Sequence, residues 1–132
     1  HCISSAASDV YKRQHQQLSN LIVFVDDNKK QLDGFTKDIC NPGDFVEKFS
    51  AFGFESIRVN GSDIREIYEG IIRLKQSNDS SPKCIVLDTI KGQGVRELEE
   101  MKSNHHLRPT VEERQMLTSV VERLSQELEE TE

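Results

Sequence analysis

Two rhythms of apolar residues alternate along this chain. Residues 21–25, "LIVFV", are apolar at every position, the pattern of a strand covered on both faces. A polar loop with Gly34 follows. Asn41-Pro42 then reads as a helix N-cap with proline at the first helical position. Phe45, Val46, Phe49 and Phe52 share one face until Gly53 ends the helix. A second strand at 56–59 runs into the turn Asn60-Gly61. Asp63 and Glu66 have capping-box spacing, ahead of a helix lined on one side by Ile64, Ile67, Ile71 and Leu74. The linker "QSNDSSP" breaks that helix, and "KCIVLDTI" supplies a third apolar run. After "KGQGV" the chain reads as irregular and charged through residue 109. Thr110 and Glu113 repeat the capping-box spacing and open a last helix. There Leu117, Val120, Val121, Leu124 and Leu128 recur at helical intervals, and the opposite, Glu-rich face reads as solvated. Strands alternating with helices predict an α/β fold: a parallel sheet between helical layers, joined by right-handed crossovers.

Composition narrows the possible partners. A chain of 132 residues supports one core, yet 35% hydrophobic against 30% charged residues leaves that core lean. A piece of a larger fold, or a subunit that relies on a partner, is expected. The net charge of −6 disfavours nucleic acid, whose binding rests on clustered Lys and Arg. No apolar run approaches the roughly 18 to 20 residues of a membrane span, and the first residues lack the layout of a signal peptide, so the chain reads as soluble. Cys2, Cys40 and Cys84 are odd in number and far apart, which suggests a reducing cytoplasm and no structural zinc. Residues 1–14, "HCISSAASDVYKRQ", lack periodicity and look like an adapter-derived translation. They are read as a tail unrelated to a domain at 15–132, so that the fold is entered part-way, truncated at its N-terminus.

Candidate chemistry gathers where strands end. Ligands of an open parallel sheet bind beyond the carboxyl ends of its strands. "DDNKK" follows the first strand and "TIKGQG" the third. Asn28 offers a neutral oxygen of the kind a hard cation accepts, and it equally suits an Asx turn. Asp26 and Asp27 are adjacent in a strand, so they face opposite sides and do not form an acid/base pair. Gly92 and Gly94 permit close backbone approach beside Lys91, either as a plain turn or as an anion site; the spacing is not that of a P-loop. His105 lies in a polar stretch, as a surface residue or a proton carrier.

"LSNLIVFVDDNKKQLDG", "FSAFGFESIRVNGSDIREI" and "CIVLDTIKGQGV" together resemble the transketolases, most closely the separate N-terminal subunit of the two-chain form, over residues 16–110. The resemblance implies transfer of a two-carbon ketol unit between sugar phosphates, with thiamine diphosphate held through Mg²⁺ or Ca²⁺. It places Asn28 and the backbone carbonyl of Lys30 on the cation. The Asp of the family's upstream Gly-Asp-Gly motif has no counterpart here. Ile90 and Lys91 fall on cofactor-binding positions, with Lys91 toward the diphosphate. His105, ten positions after Val95, falls on the active-site histidine that contacts cofactor and substrate. The family's "Trp-His-Gly" reads Asn104-His105-His106 here, which leaves the choice between the two histidines open.

The expected fold is therefore the three-layer α/β sandwich of thiamine diphosphate-binding domains. The expected partner is a C-terminal transketolase subunit carrying the pyrimidine-binding module and its Glu, in a cytoplasmic hetero-oligomer. The 132 residues alone are expected to be inactive. A 1-deoxyxylulose-5-phosphate synthase-like enzyme and a non-catalytic α/β interaction module are the alternatives.

Overall fold

A computed structural model describes residues 18–101 and 108–130. In chain order its elements are strand β1 (Ile22–Asp27), a small hairpin of β2 (Lys30–Gln31) and β3 (Gly34–Phe35), helices α1 (Thr36–Ile39) and α2 (Phe45–Ala51), strand β4 (Glu55–Asn60), helix α3 (Ile64–Gln76), strand β5 (Lys83–Asp88), and helices α4 (Arg96–Glu100) and α5 (Val111–Glu129). The reading of residues 1–14 as an unrelated tail falls outside the described residues.

The last strand is the central one. β1, β5 and β4 form a parallel sheet in that order, in register so that Phe24 and Ile57 flank Ile85, and Asp27 and Asn60 flank Asp88. From β1 the chain crosses over β5 to β4 and then returns. Crossovers of one hand that run in opposite directions put their helices on opposite faces. Residue parity agrees. Phe45, Val46 and Phe49 of α2 and Val23 and Val25 of β1 all pack against the cluster of Phe54, Cys84 and Val86, whereas Gly70 of α3 lies against Ile57 and Val59. The result is three layers: α2, sheet, α3.

Burial follows this order. Cys84, Ile85, Val86 and Leu74 are fully buried, each side chain worth about 1.5–3 kcal/mol. Phe49 and Phe54 close the α2 side edge to face, with centroids 5.2 Å apart. Burial alone pushes the Cys84 thiol up to about 11, so it behaves as a core hydrophobe. At the amino end of the sheet Lys83, only 3% exposed, donates to Glu55 Oε2 at 2.6 Å and to the Asp79 carbonyl at 2.7 Å.

Several local expectations are corrected. β1 is not covered on both faces: it is the edge of the described sheet, and Phe24, on the face that α3 packs against, is 46% exposed. β1 also runs on through Asp26 and Asp27, because both pair with β5. The N-cap of α2 is Asp44, whose side chain accepts from the Glu47 N–H; Asn41 instead makes its own turn with the Gly43 N–H. Asp63 caps α3, but the Glu66 carboxylate turns back to the Asn60 N–H at 2.8 Å, so no reciprocal box forms. Ile64, expected on the apolar side of α3, is its first residue and is 84% exposed. α4 interrupts a stretch expected to be irregular. Thr110 and Glu113 do form the full capping box of α5. Within α5 Val120 is buried, whereas Val121 and Leu128 face outward.

Candidate functional site

The carboxyl ends of β1, β4 and β5 converge on one rim of the sheet. Asp26 and Asp27 leave β1 on opposite faces and serve different partners. Asp26 accepts from the Thr89 hydroxyl, which follows β5, and from Asn28 Nδ2 at 2.9 Å. Asp27 accepts from Lys29 and from Arg58 Nη1, the latter at 2.8 Å. Partial burial works to raise the Asp27 carboxyl, but these two cations outweigh it and hold it below its ordinary value. Arg58 also reaches Asp44 at 3.2 Å, and Lys29 reaches Asp88 at 2.9 Å. One charge network thus joins the ends of all three strands to the start of α2.

The turn after β1 has a defined shape. Lys29 sits in the left-handed region at φ 64, and the Lys30 N–H donates to Asn28 Oδ1 at 3.1 Å, an Asx turn. Because Asn28 Nδ2 is engaged by Asp26, the oxygen is the end of the carboxamide that faces Lys30. The Thr36 N–H donates to the Lys29 carbonyl at 2.9 Å. In an antiparallel pair, hydrogen-bonded and non-hydrogen-bonded residues alternate, so the Lys30–Phe35 pair is of the second kind and Lys30 turns its N–H and C=O away from β3. Both therefore point to the edge where Asn28 Oδ1 lies. Lys30 itself extends its ammonium to the carbonyls of Glu99 and Met101, at 2.7 and 2.8 Å.

The loop after β5 is drawn up by its own backbone. The Gln93 N–H donates to the Ile90 carbonyl at 3.0 Å, and the Ile90 N–H donates to Gln93 Oε1 at 3.2 Å. Gly92 and Gly94 take φ 83 and 92, a region costly for any other residue. The Gly94 N–H is met by Glu99 Oε1 at 2.9 Å. Lys91 is half-buried at the head of this loop, and Ile90 is exposed. The Asp26–Thr89 hydrogen bond brings this loop beside the Asn28 turn. His105 and His106 lie outside the described residues. Among the described residues no three His, Cys, Asp or Glu side chains cluster as a metal site, and no helix is long and apolar enough to cross a membrane.

Sequence reasoning missed Thr89, Glu99, Arg58 and the side-chain role of Lys30. Thr89 had a legible signal, as a polar residue at the carboxyl end of a buried strand. The other three act through partners distant in sequence.

Residues 2–117 match the family model for the transketolase, thiamine diphosphate binding domain. The chain belongs to that family. Among its transketolase relatives are one subunit of the apulose-4-phosphate transketolase of Actinobacillus succinogenes, 35% identical over 74% of this chain and 34% of that protein, and a 6-deoxy-6-sulfo-D-fructose transketolase subunit of a Clostridium species, 34% identical over 74% of this chain and 35% of that protein. The chain thus spans about a third of the length of these curated relatives. A transketolase structure from Pichia stipitis superimposes with a TM-score of 0.62 at 28% identity, over 74% of this chain and 15% of the other. One from Campylobacter jejuni does so with a TM-score of 0.61 at 28% identity, over 67% and 14%.

Proposed function

We propose that this chain carries the rim that holds the diphosphate of thiamine diphosphate and its divalent cation, in a two-subunit transketolase that moves a two-carbon ketol unit between sugar phosphates. The observation that carries this reading is the juxtaposition, through Asp26 and Thr89, of the Asn28 turn with the Lys91–Gly94 loop, in a family defined by binding thiamine diphosphate.

The residues present fit part of such a site. Asn28 Oδ1 keeps a second lone pair beyond its bond to Lys30, and the Lys30 carbonyl is aimed at the same edge. A neutral amide oxygen and a backbone carbonyl are the donors a hard cation such as Mg²⁺ or Ca²⁺ accepts, with the rest of the shell filled by phosphate, water and residues outside these two turns. Asp26 and Asp27 are committed to Thr89, Asn28, Lys29 and Arg58, and so hold the turn in place. Lys91 would offset phosphate charge, with Ile90 packing beside it. His105 would carry a proton to or from a sugar oxygen. The bound cofactor would supply the carbanion chemistry, which no side chain of the protein provides.

The pyrimidine-binding module, with its activating Glu, would come from a C-terminal subunit, consistent with relatives that are themselves named as single subunits of a transketolase. On this reading the 132 residues alone do not turn over, and residues 15–132 form the domain proper, in a cytoplasmic hetero-oligomer acting on sugar phosphates.

The test is equilibrium titration of thiamine diphosphate into the chain together with a C-terminal transketolase subunit, with Mg²⁺ or with EDTA. Mg²⁺-dependent binding is expected, and Asn28→Ala should weaken it by about tenfold or more. Equal affinity for wild type and variant, or no dependence on Mg²⁺, would overturn the assignment.

A further inference from the structure

α4 is a helix that its own sequence does not support. Its five residues, "RELEE", fall well below the length at which an isolated helix holds together, and three of them are glutamates. The last turn contains no basic residue, although the carbonyls at a helix C-terminus lack internal partners and favour a cation. Lys30 supplies that cation from 69 positions away, donating to the Glu99 carbonyl at 2.7 Å and to the Met101 carbonyl at 2.8 Å. Its stem is steadied by Phe35, whose ring centre lies 5.5 Å from the ammonium.

Glu99 then works in both directions. Its carbonyl takes the Lys30 ammonium, while its carboxylate takes the Gly94 N–H at 2.9 Å. Gly94 has no side chain to anchor it, and a Cβ built there would meet nothing within 4 Å. The Glu99 carboxylate is thus what holds this left-handed residue to α4. At the other end the Lys30 N–H is fixed on Asn28 Oδ1. An unbroken path runs from Asn28 through Lys30 and Glu99 to Gly94.

We propose that Lys30 is a positioning residue: through Glu99, its ammonium sets where the Lys91–Gly94 loop stands relative to the Asn28 turn, and hence the spacing between the diphosphate and cation halves of the site. This deepens the reading above and rests on it. Its direct consequence, mechanical coupling between Lys30 and Gly94, does not depend on any cofactor.

Amide exchange by NMR on the full chain tests the coupling. Lys30→Met should speed exchange of Gly94 and of residues 98–100 by about tenfold or more, the effect of losing two charge-assisted hydrogen bonds, and Lys30→Arg should restore most of the protection. Exchange at Cys84 to Val86 should not change, which reports that the sheet is intact. Glu99→Ala should release Gly94 by itself, and adding Lys30→Met to it should release Gly94 no further. Gly94 protection that survives Lys30→Met, or two effects that simply add, would overturn the coupling. If Lys30→Met unfolds the sheet, Glu99→Ala carries the test, and unchanged exchange at Gly94 then refutes the path. Titration of thiamine diphosphate and Mg²⁺ into the chain together with a C-terminal transketolase subunit separates the two claims. Wild type that binds while Lys30→Met binds equally well sinks the positioning role, whereas wild type that never binds sinks the functional reading and leaves the coupling to the exchange data.

Discussion

Arg58 holds Asp27 at 2.8 Å through Nη1 and Asp44 at 3.2 Å through Nη2, so one guanidinium joins the ends of β1 and β4 to the cap of α2. Asp27 is the more enclosed partner, its side chain 12% exposed. Arg58→Met would leave that carboxylate with Lys29 alone and should cost about 1–2 kcal/mol at pH 7, read from urea unfolding.

The same network sets an acid limb. Asp27 is held below its ordinary value of 3.8 in the folded chain, whereas the unfolded chain has no such partners. A depressed carboxyl contributes its stability above the unfolded pKa and loses it as pH falls through the folded one. The urea midpoint should therefore be insensitive to Asp27 from neutrality down to the ordinary carboxylate range and decline below it. Asp27→Asn should be less stable at pH 7 and show a shallower decline in acid. Parallel curves for the two proteins would exclude Asp27 as a source of the slope.

Gly61 is required by space rather than by its dihedral. A Cβ there would stand 2.3 Å from Thr89 Cγ2 and 3.0 Å from Leu87 Cβ. Gly61→Ala should lose about 1–3 kcal/mol in thermal or urea unfolding, as overpacked sites do. Thr89→Ser removes the offending methyl while keeping the hydroxyl that reaches Asp26. The double variant should accordingly recover much of the loss, and failure to recover any would place the conflict elsewhere.

At the opposite end of the sheet the Lys83–Glu55 pair predicts an asymmetry. Glu55→Gln leaves a buried ammonium facing a neutral amide and should cost about 1–3 kcal/mol, discounted because the Glu55 carboxylate is 30% exposed. Lys83→Met removes the buried charge itself and should cost less. Denaturant unfolding of the two variants decides the order; the reverse order would mean that the pair contributes net attraction beyond its desolvation.

Much of the fold was legible in short stretches of the chain. The three strands, the crossover helices, the capping box of Thr110 and Glu113 and the glycine turn of "KGQG" depend on residues within a few positions of one another. Periodicity and capping chemistry report such structure directly. Asn28 was legible too, as a turn former and as an oxygen donor, and the Asx turn satisfies the first role without excluding the second. α4 was not legible, because its five residues, rich in glutamate, meet their cations from far along the chain: Lys30 at the Glu99 carbonyl, and Arg123 of α5, whose Nη1 donates to Glu97 Oε1 at 3.1 Å.

The sequence by itself determined the three strands of the parallel sheet, the two crossover helices and the last helix, and that polar residues follow the strands, since these depend on backbone propensity and local side-chain pattern. The tertiary structure decided that β5 lies in the middle, which leaves Phe24 on an edge, and that Asp26 meets Thr89, Asp27 meets Arg58 and Lys30 meets Glu99. Those choices are made by the direction of each crossover and by the pairing of charges far apart in the chain. No local pattern encodes them, because each partner acquires its meaning only when the fold sets the other beside it.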